Sequence, residues 1–307
     1  MTLEKTTIIM TPRDRFSTAE KCLDNLLKLT PEPFDLIAVM GGAPKHIEAR
    51  LREKFGGRVS WFFEPDFLNT AQARNIGLRH SQTRLAIFLD TDVFVRSGWY
   101  EPLVRCQLET GAAMVTPIVL DKQNRIHTAG NNFFITHQNG KKYAMMELRF
   151  FDHKVGKDTN IKRQECDFCE VHCTLVVADT ARRLGIYDEN LREFHEMDTG
   201  LMLSQAGCKM MLEPGSMVYL KYDDRLLDVD DVSLFCWKWD MDSIRQGIDY
   251  FEKKWGMNVN QNDVSIKYFE GVNRRVNFFT RRWPSQVSIR LDILKQRIFR
   301  SVFRYWE

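Results

Sequence analysis

The sequence predicts an α/β protein with a mostly parallel sheet flanked by helices. Short apolar segments alternate with helix-forming segments between residues 6 and 90, which is the pattern of crossover units in a parallel sheet. The 307 residues are 44% hydrophobic and 28% charged, enough apolar material for one large domain or two small ones. Polar residues follow three strands, at 11–15, 41–42 and 90–92, where such sheets bind ligands.

The elements follow from apolar periodicity and turn residues. Strands are predicted at 6–10, 34–40, 59–63, 85–89, 112–119 and 173–178. Helices are predicted at 17–27, 46–55, 71–79, 198–206 and 237–255. Ser17, with Glu20 three residues later, predicts a capping box for the first helix. Residues 121–165 are polar, and we expect irregular structure there, with a turn at Asn139-Gly140.

The C-terminal segment differs in charge from the rest of the chain. Residues 274–307 contain nine Lys or Arg and two acidic residues, a net charge of +7 against +3 for the whole chain. Apolar residues from Val287 to Val302 recur at helical spacing. Residues 283–307 therefore predict a basic amphipathic helix, which either lies on an anionic membrane or packs on the body or on a second subunit of a homo-oligomer. We expect a helical extension at 223–307.

Asp90-Thr91-Asp92 follows the apolar strand LAIFL. Two carboxylates one residue apart at a strand end can share a hard divalent cation, Mg²⁺ or Mn²⁺, that also binds a diphosphate. The spacing alone is weak evidence, because it also fits a polar strand end that leads into a turn. We predict that Asp90 and Asp92 form a metal site.

His195-Glu196-Met197-Asp198 precedes a predicted helix. Carboxylates in a first helical turn complement the helix dipole, and this alone would explain Asp198. The functional alternative is a general base that takes a proton from a hydroxyl group. Glu196 is the first candidate for this base and Asp198 the second.

Residues 166–173 read CDFCEVHC and lead into the strand CTLVVA. The cysteines and His172 raise the alternative of a zinc site, but these residues lack the second, distant ligand pair of structural zinc sites. We favour a strand that lines a pocket. Alternation along it would point Glu170 and His172 the same way, toward an acceptor.

Several ordered motifs resemble the inverting GT-A glycosyltransferases of family 2. Residues 9–27 are similar to the family's opening strand, loop and helix, and residues 73–78 (ARNIGL) to the helix beneath the donor. Residues 86–93 (AIFLDTDV) match its strand and DxD motif, and 126–130 (IHTAG) a shorter motif. Residues 185–207 are similar to its acidic catalytic segment. The resemblance covers roughly residues 5–222.

The resemblance implies a GT-A domain over residues 1–222 that transfers a sugar with inversion at the anomeric carbon. It implies a UDP-, GDP- or dTDP-sugar donor, a saccharide or glycolipid acceptor, a Mg²⁺ or Mn²⁺ ion on Asp90 and Asp92, and Glu196 or Asp198 as base. The residues it assigns to the donor site are Thr11, Pro12, Arg13, Asp14, Gly41, Gly42, Arg74 and Asp90.

The sequence departs from the family pattern at two points. Met40-Gly41-Gly42 stands where the family usually has an aspartate for the base of the nucleotide, and residues 217–221 (MVYLK) lack the histidine that often completes the metal site. Base recognition must therefore differ, and Lys221 is a candidate to assist the diphosphate.

Two alternatives to a glycosyltransferase stay open. One is a sugar-phosphate nucleotidyltransferase, although TPRDR at 11–15 is a poor match to its Gly-rich phosphate loop. The other is a catalytically silent, membrane-associated binding protein. The body has no zinc finger or RNA-recognition motif, so we expect no nucleic acid partner. The missing signal peptide and the odd cysteine count predict a cytoplasmic protein, peripheral on the membrane if the tail binds it.

Overall fold

The computed structural model describes residues 4–156, 160–220 and 228–259. The strands are β1 Thr6–Thr11, β2 Phe34–Gly41, β3 Ser60–Glu64, β4 Leu85–Asp90, β5 Val93–Val95, β6 Met114–Leu120, β7 Ile126–Thr128, β8 Asn132–Gln138, β9 Lys141–Glu147, β10 Gln164–Cys166, β11 Cys173–Val177, β12 Met210–Leu220 and β13 Asn258–Val259. The helices are α1 Ala19–Leu29, α2 Lys45–Phe55, α3 Thr70–His80, α4 Tyr100–Thr110, α5 Ala178–Leu184, α6 His195–Gln205, α7 Val232–Lys238 and α8 Met241–Trp255.

The main sheet has the order β10–β12–β6–β11–β4–β1–β2–β3, with β5 on β12 and β7 on β6. Its first half, β4–β1–β2–β3, is parallel, as is the pair β6–β12. Strand β11 runs antiparallel to both β4 and β6. The α/β class is confirmed, but the sheet is mixed rather than mostly parallel. The apolar run of β11 did not reveal its direction, which depends on the strands it pairs with.

Helices cover both faces of the sheet because successive side chains of its strands point to opposite sides. On β1, Ile8 and Met10 join a core cluster with α1, α2 and α4, whereas Ile9 joins a second cluster with α3 and α5. Both β1 and β4 are buried along their whole length. The carboxyl ends of these two central strands are therefore held in a fixed place.

Strands β8, β9 and β13 form a separate three-stranded sheet, and β8 and β9 lie within the segment 121–165 that we expected to be irregular. Asn139 and Gly140 form the turn between β8 and β9, with φ of 51° and 74°. Two successive positive φ angles are typical of a type I′ hairpin turn, for which Asn-Gly is the preferred sequence. The turn prediction at Asn139-Gly140 was therefore correct, and the polar composition of the flanking strands hid the hairpin.

Two local predictions about helices were wrong. Thr18, rather than Ser17, is the N-cap of α1, and its side chain makes no capping hydrogen bond. The Ser17 hydroxyl instead donates to Asp231, 2.6 Å away. The helix expected at 237–255 is two helices, because Asp240 accepts from the Ser243 amide and so caps a new helix.

Some sequence predictions fall outside the described residues. These are Lys221 and the amphipathic tail at 283–307. Across the ranges that are described, no helix combines the length and the apolar character needed to cross a membrane. Residues 228–259 pack their helices α7 and α8 with α6, β9 and β13 in one apolar cluster.

We predict that Gly77→Ala destabilises the protein although alanine favours helices. A Cβ at Gly77 of α3 would lie 2.3 Å from Cγ2 of Ile9, and a β-branched side chain in a buried strand cannot easily turn away. We expect the free energy of unfolding in urea to fall by about 1–3 kcal/mol. Gly57→Ala is the control, since its Cβ would meet nothing within 4 Å. Equal stability of the two variants would contradict the predicted close packing.

Candidate active site

Three polar segments meet where β1, β2 and β4 end. Thr11 pairs with Asp90 in the register of β1 and β4, and Gly41 ends the neighbouring strand β2. The Thr91 amide donates to the Thr11 carbonyl at 3.0 Å, and the Thr91 hydroxyl donates to the Arg15 carbonyl at 2.9 Å. The middle residue of Asp90-Thr91-Asp92 thus fixes the 11–15 loop against the end of β4.

Asp90 is buried, and protein groups engage both of its carboxylate oxygens. Arg74 Nη2 lies 3.3 Å from Oδ1, and His172 Nδ1 lies 3.0 Å from Oδ2. Burial alone would raise the pKa of Asp90, but the His172 hydrogen bond and the Arg74 charge hold it below its ordinary value. Asp90 is therefore an ionised carboxylate that the protein itself has paired.

Asp92 is equally buried but differently placed. Its nearest charged partner is Arg13, with Nη2 3.4 Å from Oδ2, and neither carboxylate oxygen accepts a hydrogen bond from a residue in the described ranges. Burial raises the pKa of Asp92, while the Arg13 charge opposes this. Buried carboxylates normally have partners. A carboxylate with unfilled oxygen sites is suited to a hard divalent cation.

Arg74 lies behind Asp90 rather than on the surface of the site. Its side chain is fully buried, with its guanidinium 5.2 Å from the Phe88 ring centroid and 5.4 Å from that of Tyr187. It also donates to the Val171 carbonyl. The resemblance assigns Arg74 to the donor site, and the structure shows that its side chain is buried and contacts Asp90.

The 11–15 loop is buried and rich in charge. Arg13 and Arg15 flank Asp14, at 3.5 and 3.4 Å from its carboxylate. Burial would raise the pKa of Asp14, but the charges of Arg13, Lys238 and Arg15 together lower it. Thr11 and Pro12 are buried as well. The loop presents the partly accessible Arg13, 12% exposed, beside Asp92.

Asp231, which is distant in sequence, fixes the two residues that follow this loop. The Asp231 carboxylate accepts from the Phe16 amide at 2.7 Å and from the Ser17 amide at 2.9 Å. Asp231 immediately precedes α7, and its side chain is fully buried. The shape of the 11–15 loop therefore depends on residues that are more than 200 positions away in sequence.

Gly41 and Gly42 are tightly packed against the 66–68 loop. A Cβ at Gly41 would lie 2.5 Å from Leu68, and one at Gly42 would lie 2.3 Å from Phe67. Gly42 also has a φ of 68°, which favours glycine. Packing and backbone conformation thus explain both glycines, and a contact with nucleotide stays a prediction.

The start of α6 presents Glu196. This side chain is 23% exposed, and its Oε1 lies 3.2 Å from Nε2 of the buried His195. Burial lowers the pKa of His195 to about 4, so the imidazole is neutral at pH 7. A neutral ring does not hold the Glu196 carboxylate in an ion pair. Glu196 is thereby a partly accessible carboxylate at a helix N-terminus.

Asp198, two residues further along α6, has a different environment. Its carboxylate lies 2.8 Å from Lys254 Nζ and accepts from the Trp255 indole at 2.7 Å. The side chain is fully buried. Asp198 therefore ties α6 to the end of α8, and both groups that hold it lie on α8.

Glu193 is a buried acid that the sequence did not single out. Burial raises its pKa to about 7, against the opposing charge of Lys238, whose Nζ lies 4.0 Å away. No short motif marks Glu193 or Lys238, because the two residues meet only through the packing of α7 on the segment before α6.

The cysteines of residues 166–173 belong to no cluster of three metal-ligating side chains in the described residues. Cys166, Cys169 and Cys173 are free and buried, and burial raises the pKa of Cys169 to about 12. Within the described part of the chain, the one cluster of three metal-ligating side chains is His127, Glu170 and His172, without a cysteine. Glu170 and His172 do meet, with Oε2 and Nε2 3.1 Å apart, but they lie in the segment before β11 rather than on a strand, so strand alternation is not the reason.

Comparisons with known proteins bear on the family and the fold of the chain. The model of the family "Glycosyl transferase family 2" matches residues 7–163, just over half of the 307 residues. Among solved structures, the crystal structure of GalNAc-T7 with UDP, GalNAc and Mn²⁺ aligns with a TM-score of 0.54 and 17% identity. The alignment covers 72% of this chain and 43% of that one, so this chain spans less than half of that protein's length. No curated protein matches the sequence.

We predict that Glu193→Gln changes how stability depends on pH. Because the folded pKa of about 7 exceeds the ordinary 4.5, the stability that protonated Glu193 contributes is present below pH 4.5 and is lost as the pH rises through 7. Between pH 5 and pH 8 the wild type should lose up to about 3 kcal/mol relative to the variant. Urea unfolding at each pH measures this, with exposed Glu53→Gln as control. Parallel pH profiles for wild type and Glu193→Gln would contradict the buried, protonated state.

Proposed function

The chain belongs to glycosyl transferase family 2, and we propose that it transfers a sugar from a nucleotide-sugar donor to a hydroxyl group of a saccharide or glycolipid. Membership makes it a glycosyltransferase; the inversion at the anomeric carbon, the cation and the substrates are our proposal. The observation that carries it is the buried Asp92 carboxylate, with unfilled oxygen sites, beside Arg13 at the end of β4.

The donor site that we propose lies between the 11–15 loop and the end of β4. Asp92 would hold a Mg²⁺ or Mn²⁺ ion, and Asp90 would orient the site from its fixed position between Arg74 and His172. Such a cation binds the donor diphosphate and neutralises its charge as it leaves. The GalNAc-T7 structure contains UDP and Mn²⁺, which supports a nucleotide and a divalent cation for this chain too.

Arg13 supplies the positive charge closest to Asp92. Its guanidinium contacts both Asp14 and Asp92. Because Arg15 also contacts Asp14, Arg13 can turn toward a diphosphate while Asp14 keeps an ion pair. Arg15, by contrast, is 3% exposed and supports the loop from within. We propose that Arg13 contacts the donor phosphates and that Thr11, Pro12 and Asp14 shape the loop.

Glu196 is the base that we propose for the acceptor hydroxyl. A general base must reach the acceptor and must be free to take a proton. Glu196 is partly exposed beside a neutral imidazole, whereas Asp198 is fully buried and bonded to Lys254 and Trp255. The two candidates therefore separate, with Glu196 acting on the acceptor and Asp198 positioning α6.

We predict that Asp92→Asn and Glu196→Gln fail in different ways. Asp92→Asn should lose the Mn²⁺-dependent part of nucleotide binding, because the amide supplies a weaker cation ligand. Glu196→Gln should bind nucleotide normally but turn over about 10²- to 10⁴-fold more slowly, because the base is missing. Calorimetry with UDP and GDP, with and without Mn²⁺, measures the first effect. Transfer from UDP-, GDP- and dTDP-sugars measures the second.

Exposed Asp249→Asn and Glu53→Gln are the matched controls for these two variants. Full turnover in both folded active-site variants would refute the assignment of Asp92 and Glu196. A wild-type protein that binds no nucleotide under any of these conditions would instead support a catalytically silent binding scaffold.

The basic tail leads to a separate proposal about location. We propose that residues 283–307 hold the enzyme on an anionic membrane surface, where a glycolipid acceptor would also lie. Deletion of 283–307 should abolish sedimentation with liposomes that contain anionic lipid, while neutral liposomes should sediment neither form. A full-length protein that never sediments with anionic liposomes would rule this out.

A further inference from the structure

Three side chains beside the donor site form a compact nitrogen and oxygen cluster. His127 lies on β7, and Glu170 and His172 lie just before β11. His127 Nε2 is 3.0 Å from Glu170 Oε2, and His172 Nε2 is 3.1 Å from the same oxygen. One ligand atom from each of the three residues lies within 4.8 Å of the other two.

We propose that His127, Glu170 and His172 form a transition-metal site, distinct from the Asp92 site, that takes Zn²⁺ or a chemically similar ion. Two imidazoles and one carboxylate are a ligand set that zinc uses in proteins, with a fourth position open to water or substrate. In a tetrahedral site with bonds of about 2.0–2.2 Å, ligand atoms lie roughly 3.3–3.6 Å apart. The two separations that involve Glu170, 3.0 and 3.1 Å, are a few tenths of an ångström shorter than this, and the two imidazole nitrogens lie within 4.8 Å of each other.

The surroundings of His172 also fit a metal ligand. Its Nδ1 donates to Asp90 at 3.0 Å, which leaves Nε2 directed at Glu170. Metal-ligating histidines typically donate their second ring nitrogen to a carboxylate in this way, and the bond fixes both tautomer and ring orientation. Asp90 is itself fixed by Arg74, so the ring is held by a rigid partner. Occupancy of the cluster would in turn hold the ring that orients Asp90.

Exposure provides a route for the ion. The His127 and Glu170 side chains are 23% and 24% exposed, whereas His172 is 7% exposed. The cluster therefore opens on the side of His127 and Glu170 and is closed on the side of Asp90. The open side leaves room for the fourth ligand, water or an acceptor group, that a catalytic type of zinc site requires.

The ligand types distinguish this cluster from the donor site. Imidazole nitrogen favours zinc and similar transition metals, whereas carboxylate and phosphate oxygens favour Mg²⁺ and Mn²⁺. The cluster is complete without nucleotide, while the Asp92 site gains ligands from the donor diphosphate. The metal proposal therefore does not rest on the transferase proposal, and either can fail alone.

The test is Zn²⁺ calorimetry on the full-length, chelator-treated protein without nucleotide. We expect one Zn²⁺ per chain, with at least about 10-fold weaker binding in His127→Gln and in Glu170→Gln, by the scale of losses around metal sites. His137→Gln, an exposed histidine on β8, should bind as the wild type does. Asp92→Asn should also keep Zn²⁺ binding, which separates this site from the donor site.

Co²⁺ substitution identifies the ligands independently. The absorption spectrum should show a bound ion without the charge-transfer band of a cobalt–thiolate bond, because the cluster contains no cysteine. Two results would overturn the proposal. The first is no Zn²⁺ binding, or equal binding by wild type and His127→Gln. The second is a Co²⁺ spectrum with thiolate ligation, which would place the ion on the cysteines. Circular dichroism verifies that each variant is folded.

Discussion

The buried ion pairs of Asp90 are the interaction on which the site depends. A carboxylate at the end of a central strand loses its hydration and must be compensated by protein groups. Arg74 from α3 and His172 from the segment before β11 supply this compensation, one on each oxygen. Because these partners come from different elements, the same pairs also fix α3 and the segment before β11 at the end of β4. Removal of either partner would leave a buried charge, so the arrangement is a constraint on the fold as well as on the site.

Asp90 and Asp92, two residues apart, therefore have different roles in our account. Protein groups contact both carboxylate oxygens of Asp90. Asp92, by contrast, has one ion pair with Arg13 and no hydrogen bond from the described residues. A pair of equivalent metal ligands would be expected to share this condition. The asymmetry indicates one carboxylate that shapes the site and one that is left for a ligand. His172 connects Asp90 to the neighbouring cluster, because its second ring nitrogen contacts Glu170, which also contacts His127.

The sequence predicted those parts of the structure that depend on neighbours in the chain. Apolar runs predicted β1, β2, β3 and β4, and the strand-end positions of three polar segments, Asp90-Thr91-Asp92 among them, predicted that these segments meet. What failed depended on distant partners. Ser17 was expected to cap α1, but Asp231, 214 residues away, takes its hydroxyl. The environment of Asp198 was likewise not visible in the sequence, because Lys254, which holds its carboxylate, is 56 residues away. The Asn139-Gly140 turn was recognised, but its polar strands lacked the alternation that would have predicted a hairpin.

The most direct test of this account is a crystal structure with UDP and Mn²⁺, with the anomalous signal of manganese used to locate the ion. We predict an anomalous peak about 2 Å from an Asp92 carboxylate oxygen, with the contacts from Arg74 and His172 to Asp90 still in place. A manganese ion bound by Asp90 with the Arg74 contact broken, or one bound away from Asp92, would contradict the account.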